Sequence, residues 1–167
     1  MQAVKIGAHA PAKTAMSYVD SVGASAVQIY VGNSRGWARP PGDPQQDEAF
    51  AVGCAERSIP AYVHASLLVN LGSPTAATVE QSVLVLTHAL LRAQQIGALG
   101  VVFHAGSAVD PAYTATAMRQ VREALLPLLE VLPDDTPRLL VEPSAGGGRS
   151  LASRIPDLGP YLDAVDR

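Results

Sequence analysis

The chain has 167 residues, of which 48% are hydrophobic and 16% charged, with a formal net charge of −3 and a pI near 5.7. That supply of apolar residues suits one soluble globular domain with a sizeable core. The acidic balance does not advertise nucleic-acid binding, because such proteins usually carry a net basic face, so any DNA-directed reading must rest on local residues. No apolar stretch approaches the ~20 residues of a bilayer span, and the N-terminus runs into a strand without a signal-peptide layout. The single cysteine, Cys54, lies in a helical pattern without a disulfide partner and reads as a small buried hydrophobe. These features together lead us to expect a cytoplasmic protein.

In chain order, Val4-Lys5-Ile6-Gly7-Ala8-His9 reads as a first strand, and Ala12 to Val22 as a helix stopped by Gly23. Ala26 to Val31 is the second strand. The Gly- and Pro-rich stretch 32–44 follows as a long exposed loop, a kind of segment that usually binds something. A helix from Gln45 to Arg57 leads to the apolar run Ile59-Pro60-Ala61-Tyr62-Val63, which ends in His64. Thr78 and Gln81 have capping-box spacing for the next helix, whose apolar positions Val79, Val83, Leu86, Leu90 and Ala93 recur by threes and fours up to Gly97. His88 lies within this helix and reads as a surface histidine.

The run Gly100-Val101-Val102-Phe103 then delivers His104. Asp110-Pro111 offers an N-cap and first-turn proline for a helix with Met118, Val121, Leu125, Leu128 and Leu132 on one side, and Pro127 is expected to kink it. After a turn at 133–137, Arg138-Leu139-Leu140-Val141 delivers Glu142. A last helix falls between Ser150 and Val165.

Five β-α units in strict alternation predict a parallel α/β sheet with right-handed crossovers. Barrels and open doubly wound sheets both place their sites at the C-terminal strand ends. Gly7-Ala8-His9-Ala10-Pro11 lacks the spacing of a phosphate-binding loop, so a TIM-type (β/α) barrel is predicted as a single partial domain over 1–167, with about five of its eight units present.

Three apolar runs end in a metal-grade ligand, His64, His104 and Glu142, at intervals of 40 and 38 residues, and barrel geometry would point all three into one mouth. Two imidazoles and a carboxylate suit zinc, with manganese and iron as rivals. Each residue alone could instead be a hydrogen-bonded structural group or a helix cap; the repetition at three successive strand ends favours the metal. His9, at the end of the first strand, also faces the rim. Arg35 and Trp37 pair a guanidinium with an indole, suited to phosphate contact and base stacking, although Trp37 could equally fold over the barrel edge as packing. Gly146-Gly147-Gly148 is a loose match to an anion nest.

The motifs Ile6-Gly7-Ala8-His9, Gly32-Asn33-Ser34-Arg35-Gly36-Trp37, Val63-His64-Ala65-Ser66-Leu67-Leu68-Val69-Asn70-Leu71-Gly72, Phe103-His104-Ala105-Gly106-Ser107 and Val141-Glu142-Pro143-Ser144-Ala145-Gly146-Gly147-Gly148 resemble, in order and spacing, those of the endonuclease IV (deoxyribonuclease IV) family. The resemblance implies a barrel with a trinuclear zinc cluster that hydrolyses the phosphodiester 5′ to an abasic site. It implies that His64, His104 and Glu142 hold one zinc, that Glu142 bridges to a second and serves catalysis, and that Arg35 sits on a loop entering DNA at the lesion. The chain departs from the family at Leu67, commonly an aromatic, and at Pro143, usually Asn. The family's Asp-Thr-Cys-His motif and later His, Asp and Glu ligands have no counterpart here, so only one site is complete in protein ligands.

A partial barrel leaves strand edges unpaired, and association with a second copy or a complementing chain is expected. Two alternatives to the nuclease are a metal-dependent sugar isomerase or epimerase with a related barrel, and a non-catalytic metal-binding relic.

Overall fold

A computed structural model describes residues 4–133, 135–144 and 149–166. Five strands, β1 (Gly7–His9), β2 (Ala26–Tyr30), β3 (Ala61–His64), β4 (Gly100–His104) and β5 (Arg138–Glu142), alternate with five helices, α1 (Ala15–Val22), α2 (Pro44–Glu56), α3 (Ala76–Gln95), α4 (Thr114–Glu130) and α5 (Ile155–Val165). The strands form one sheet in the order β1-β2-β3-β4-β5, with all four pairings parallel. A doubly wound sheet reverses its strand order at a switch point, whereas a barrel adds each strand beside the last. The unbroken order therefore marks five units of a barrel. Among the described residues, β1 and β5 each pair on one side only.

The period-two pattern of the strands decides which side chains meet the helices. Ala61 and Val63 of β3 and Val101 and Phe103 of β4 are buried, while Tyr62, Val102 and His104 on the opposite, concave face are partly open. The buried set joins Val19 of α1, Phe50 of α2, Leu86 and Leu90 of α3, and Val121 and Leu125 of α4 in one core. Burial of each large side chain is worth ~1.5–3 kcal/mol, so this core holds the sheet and helices as one body. His64 is the exception on the concave face, since only 7% of it is exposed. Between β4 and β5 the backbones come so close that a Cβ on Gly100 would stand 2.8 Å from the Arg138 carbonyl oxygen.

Several local expectations are corrected. Strand β1 starts at Gly7 rather than Val4, and the 3-10 turn Ala12–Thr14 precedes α1. Helix α2 begins at Pro44 because the Asp43 side chain accepts from the amides of Gln45 and Gln46. Thr78 does not cap α3: the helix starts after Thr75, whose carbonyl already accepts from the amides of Thr78 and Val79. Asp110 caps a 3-10 turn, Pro111–Tyr113, that leads into α4, and α4 runs through Pro127 to Glu130. Gly23 and Gly97 adopt the left-handed backbone, φ 65° and 69°, that ends their helices as expected. The Gly146-Gly147-Gly148 run lies outside the described residues.

Candidate metal centre

Strands β3, β4 and β5 bring His64, His104 and Glu142 together. Each is the last residue of its strand, and His104 is the direct cross-strand partner of Glu142. His64 pairs with Val102, two residues earlier on β4, so the stagger of the sheet carries it across β4 toward β5. One ligand atom from each of the three residues lies within 4.8 Å of the other two. The Glu142 Oε2 stands 3.1 Å from His64 Nε2 and 3.8 Å from His104 Nε2. The two imidazole rings are 5.3 Å apart at an interplanar angle of 87°.

The proton on His64 is fixed by its neighbour. Its Nδ1 is 2.7 Å from the Ala65 carbonyl oxygen, which can only accept, so Nδ1 donates. In the neutral ring this leaves the lone pair on Nε2, directed at a carboxylate oxygen that also only accepts. Two acceptors at 3.1 Å need a cation between them, a proton or a metal ion. Tetrahedral bonds of about 2.0–2.1 Å to nitrogen and oxygen separate neighbouring ligand atoms by roughly 3.3 Å. The two Glu142–histidine separations bracket that value, and a backbone carbonyl on the far ring nitrogen is the usual way a metal-ligating imidazole is oriented. The donor set thus fits a divalent metal ion.

The surroundings are aromatic and polar. Tyr30, opposite His64 in the β2–β3 register, has its ring centroid 5.3 Å from His64 and 4.5 Å from His9. Burial raises the Tyr30 phenol above its ordinary pKa, the charge of Glu142 adds to the rise, and Arg35 opposes it. His9 is exposed at the rim, its ring centroid 6.4 Å from that of His64, and its Nδ1 is 2.9 Å from Gln28 Oε1. Arg35 is exposed at the tip of a turn in which the Gly36 amide donates to the Asn33 carbonyl and the Arg35 amide to Asn33 Oδ1. Trp37 is partly buried: it packs against the core and keeps part of its surface open.

Sequence reasoning overlooked Asn70. Its Oδ1 accepts from the amides of Ser107 at 2.9 Å and Gly72 at 3.2 Å, and its Nδ2 donates to the Ser107 carbonyl at 3.0 Å. This one amide side chain ties the loop after His64 to the loop after His104. Gln120 of α4 adds two bonds to the carbonyls of Leu71 and Ser73, 2.8 and 2.7 Å. The signal in the sequence was a lone polar residue inside the apolar run Leu67-Leu68-Val69-Asn70-Leu71.

Comparison with known proteins places the chain. The model of the family described as xylose isomerase-like TIM barrel matches residues 16–167. The "Probable endonuclease 4" of Streptomyces avermitilis is 52% identical over 167 residues, a match that covers 96% of this chain and 54% of the relative. Endonuclease IV from Thermus thermophilus superposes with a TM-score of 0.78 at 31% identity, over 95% of this chain and 59% of that one. A D-tagatose 3-epimerase-like protein superposes at 0.74 with 15% identity, over 98% and 62% of the two chains, which shows the shared fold alone. The chain thus spans about half the length of the curated relatives it matches.

Proposed function

Because this chain belongs to the xylose isomerase-like TIM barrel family, and because relatives at 52% and 31% identity are named endonuclease 4 and endonuclease IV, we propose that it is part of a zinc-dependent DNA-repair endonuclease that cleaves the phosphodiester 5′ to an abasic site. The observation that carries this reading is the convergence of one ligand atom each from His64, His104 and Glu142 within 4.8 Å of one another. A bound zinc would supply Lewis acidity toward a phosphoryl oxygen and lower the pKa of a water at its open position toward ~7.

The residues of the chain divide the remaining work. His64, oriented by the Ala65 carbonyl, and His104 supply neutral nitrogen donors, and Glu142 supplies the negative charge that the cation requires. Arg35 meets a backbone phosphate through its planar guanidinium. Trp37 offers a face for a base displaced beside the lesion. His9, with Nδ1 donating to Gln28, keeps a nitrogen acceptor at the rim for a DNA hydroxyl or a bound water. Leu67, half-exposed where the family resemblance implies an aromatic, gives a smaller wedge. The open edges of β1 and β5 are where further strands would add, from this chain's own continuation, a second copy or a complementing chain.

An oligonucleotide with one tetrahydrofuran site, incubated with zinc and separately with EDTA, tests the reading. The expected result is a nick 5′ to the site that leaves a 3′-hydroxyl extendable by polymerase, and that disappears with EDTA and in Glu142→Gln. No nick at high protein concentration in either condition would contradict the nuclease reading for this chain. A sugar epimerase role gains no support beyond shared fold.

A further inference from the structure

Nothing at the metal centre uses His88, yet its Nε2 donates to the Pro40 carbonyl at 2.8 Å, across 48 residues of sequence. Seven residues earlier on α3, Gln81 Oε1 accepts from Arg39 Nη1 at 3.3 Å, and the same Nη1 reaches the Trp37 carbonyl at 3.5 Å. Four residues later, the buried Arg92 grips Asp47 through both terminal nitrogens, 2.7 and 2.6 Å, and donates to Gln95 at 2.6 Å. Its guanidinium lies flat against Gly42, where φ is +91° and any Cβ would collide with it. At 3.6 residues per turn, positions 81, 88 and 92 fall on one stripe of α3. That stripe binds successive points of the segment carrying Arg35 and Trp37.

The other limb of the segment is tied as well, since the Ser34 carbonyl accepts from the Leu67 amide at 2.8 Å and from Ser66 Oγ at 3.2 Å. A loop that reads as mobile from its glycines and prolines is therefore fastened at both ends, with Arg35 exposed at its tip. Fixing such a loop before a ligand arrives moves its ordering cost from binding to folding.

We infer that the Gln81–His88–Arg92 stripe is the anchor of this arm, and that His88 is a positioning residue that sets the placement of the segment carrying Arg35 and Trp37. The functional half of the inference rests on the reading of Arg35 and Trp37 as the DNA-contacting pair. The structural half is independent of it.

Trp37 is the sole tryptophan, so its intrinsic fluorescence reports the arm without DNA, metal or turnover. In His88→Ala, the loss of one hydrogen bond favours the released arm about fivefold in its equilibrium, so the emission shifts to the red and the acrylamide quenching constant rises toward that of an exposed indole. His88→Gln, which carries an amide donor near the same place, restores both. Gln81→Ala, on the surface of α3, produces a smaller change in the same direction and guards against a folding defect in the first variant. Unchanged emission and quenching in His88→Ala overturns the anchor, as does a change that His88→Gln fails to reverse. With anchoring established this way, affinity for abasic-site DNA falls about fivefold in His88→Ala while the rate at saturating DNA stays at the wild-type value. A wild-type chain that binds no such DNA refutes the function proposed for the arm and leaves the anchor standing.

Discussion

His64 Nε2 and Glu142 Oε2 stand 3.1 Å apart although their strands, β3 and β5, are separated by β4. Contact across an intervening strand is possible only because the sheet is staggered and curved, so the pair tests barrel curvature and site assembly at once. Two acceptors at this distance are held by a shared cation. Removing either one is expected to weaken zinc binding far more than removing an orienting group, for which losses of about 10–100-fold are usual. His64→Ala and Glu142→Gln should each lower zinc affinity by at least about a hundredfold in competition with a chromophoric chelator. Wild-type affinity in either variant would show that the residue is not a ligand.

Asn70 is expected to matter for stability as much as for the site. Its loss in Asn70→Ala would strand the amides of Gly72 and Ser107 and the Ser107 carbonyl, and each buried group left without a partner costs about 1–3 kcal/mol. Urea unfolding should show a loss of ~2–4 kcal/mol with little change in slope. Gly106→Ala should act in the same direction, since φ is +86° and its Cβ would come 2.7 Å from Asn70 Oδ1. A variant within 0.5 kcal/mol of wild type, about the scatter of neutral surface substitutions, would remove Asn70 from this role.

Acid should act on α5 through Asp157. Its side chain bonds the Arg154 guanidinium and the amides of Ser153 and Arg154, and these partners, Arg154 first, hold its pKa at about 2 against an ordinary 3.8. A carboxylate with a depressed folded-state pKa stabilises fully above the unfolded value and loses that contribution as pH falls through the folded one. Stability from this cap is therefore complete above pH 3.8 and gone below about 2. Amide hydrogen exchange at the start of α5 should accelerate across that window in wild type. Asp157→Asn should exchange fast already at neutral pH and show no such step.

The three converging positions were legible because each announces itself locally, as an apolar run broken by one polar residue at the strand end. The barrel order followed from the regular β-α alternation. What escaped was non-local. Asn70 acts on Ser107, 37 residues away, and His88 acts on Pro40, 48 residues away; neither partner leaves a mark in the neighbouring sequence. The loop 32–44 is mostly exposed, as its composition argued, but its Ser34 and Pro40 carbonyls are held by Ser66, Leu67 and His88, which composition alone does not reveal. Capping failed as a guide at Thr78 because the Ser/Thr-x-x-Gln spacing recurs inside the first turn, while Pro74 and Thr75 lead the chain in three residues earlier.

Everything proposed for the site depends on one zinc ion shared by the imidazoles of residues 64 and 104 and the carboxylate of residue 142. X-ray absorption at the zinc edge, on protein loaded with one equivalent, measures this most directly. Two imidazole nitrogens and one carboxylate oxygen at about 2.0–2.2 Å are expected, with one imidazole lost from the spectrum in His104→Ala. A spectrum of oxygen ligands alone, unaltered by that substitution, would contradict it.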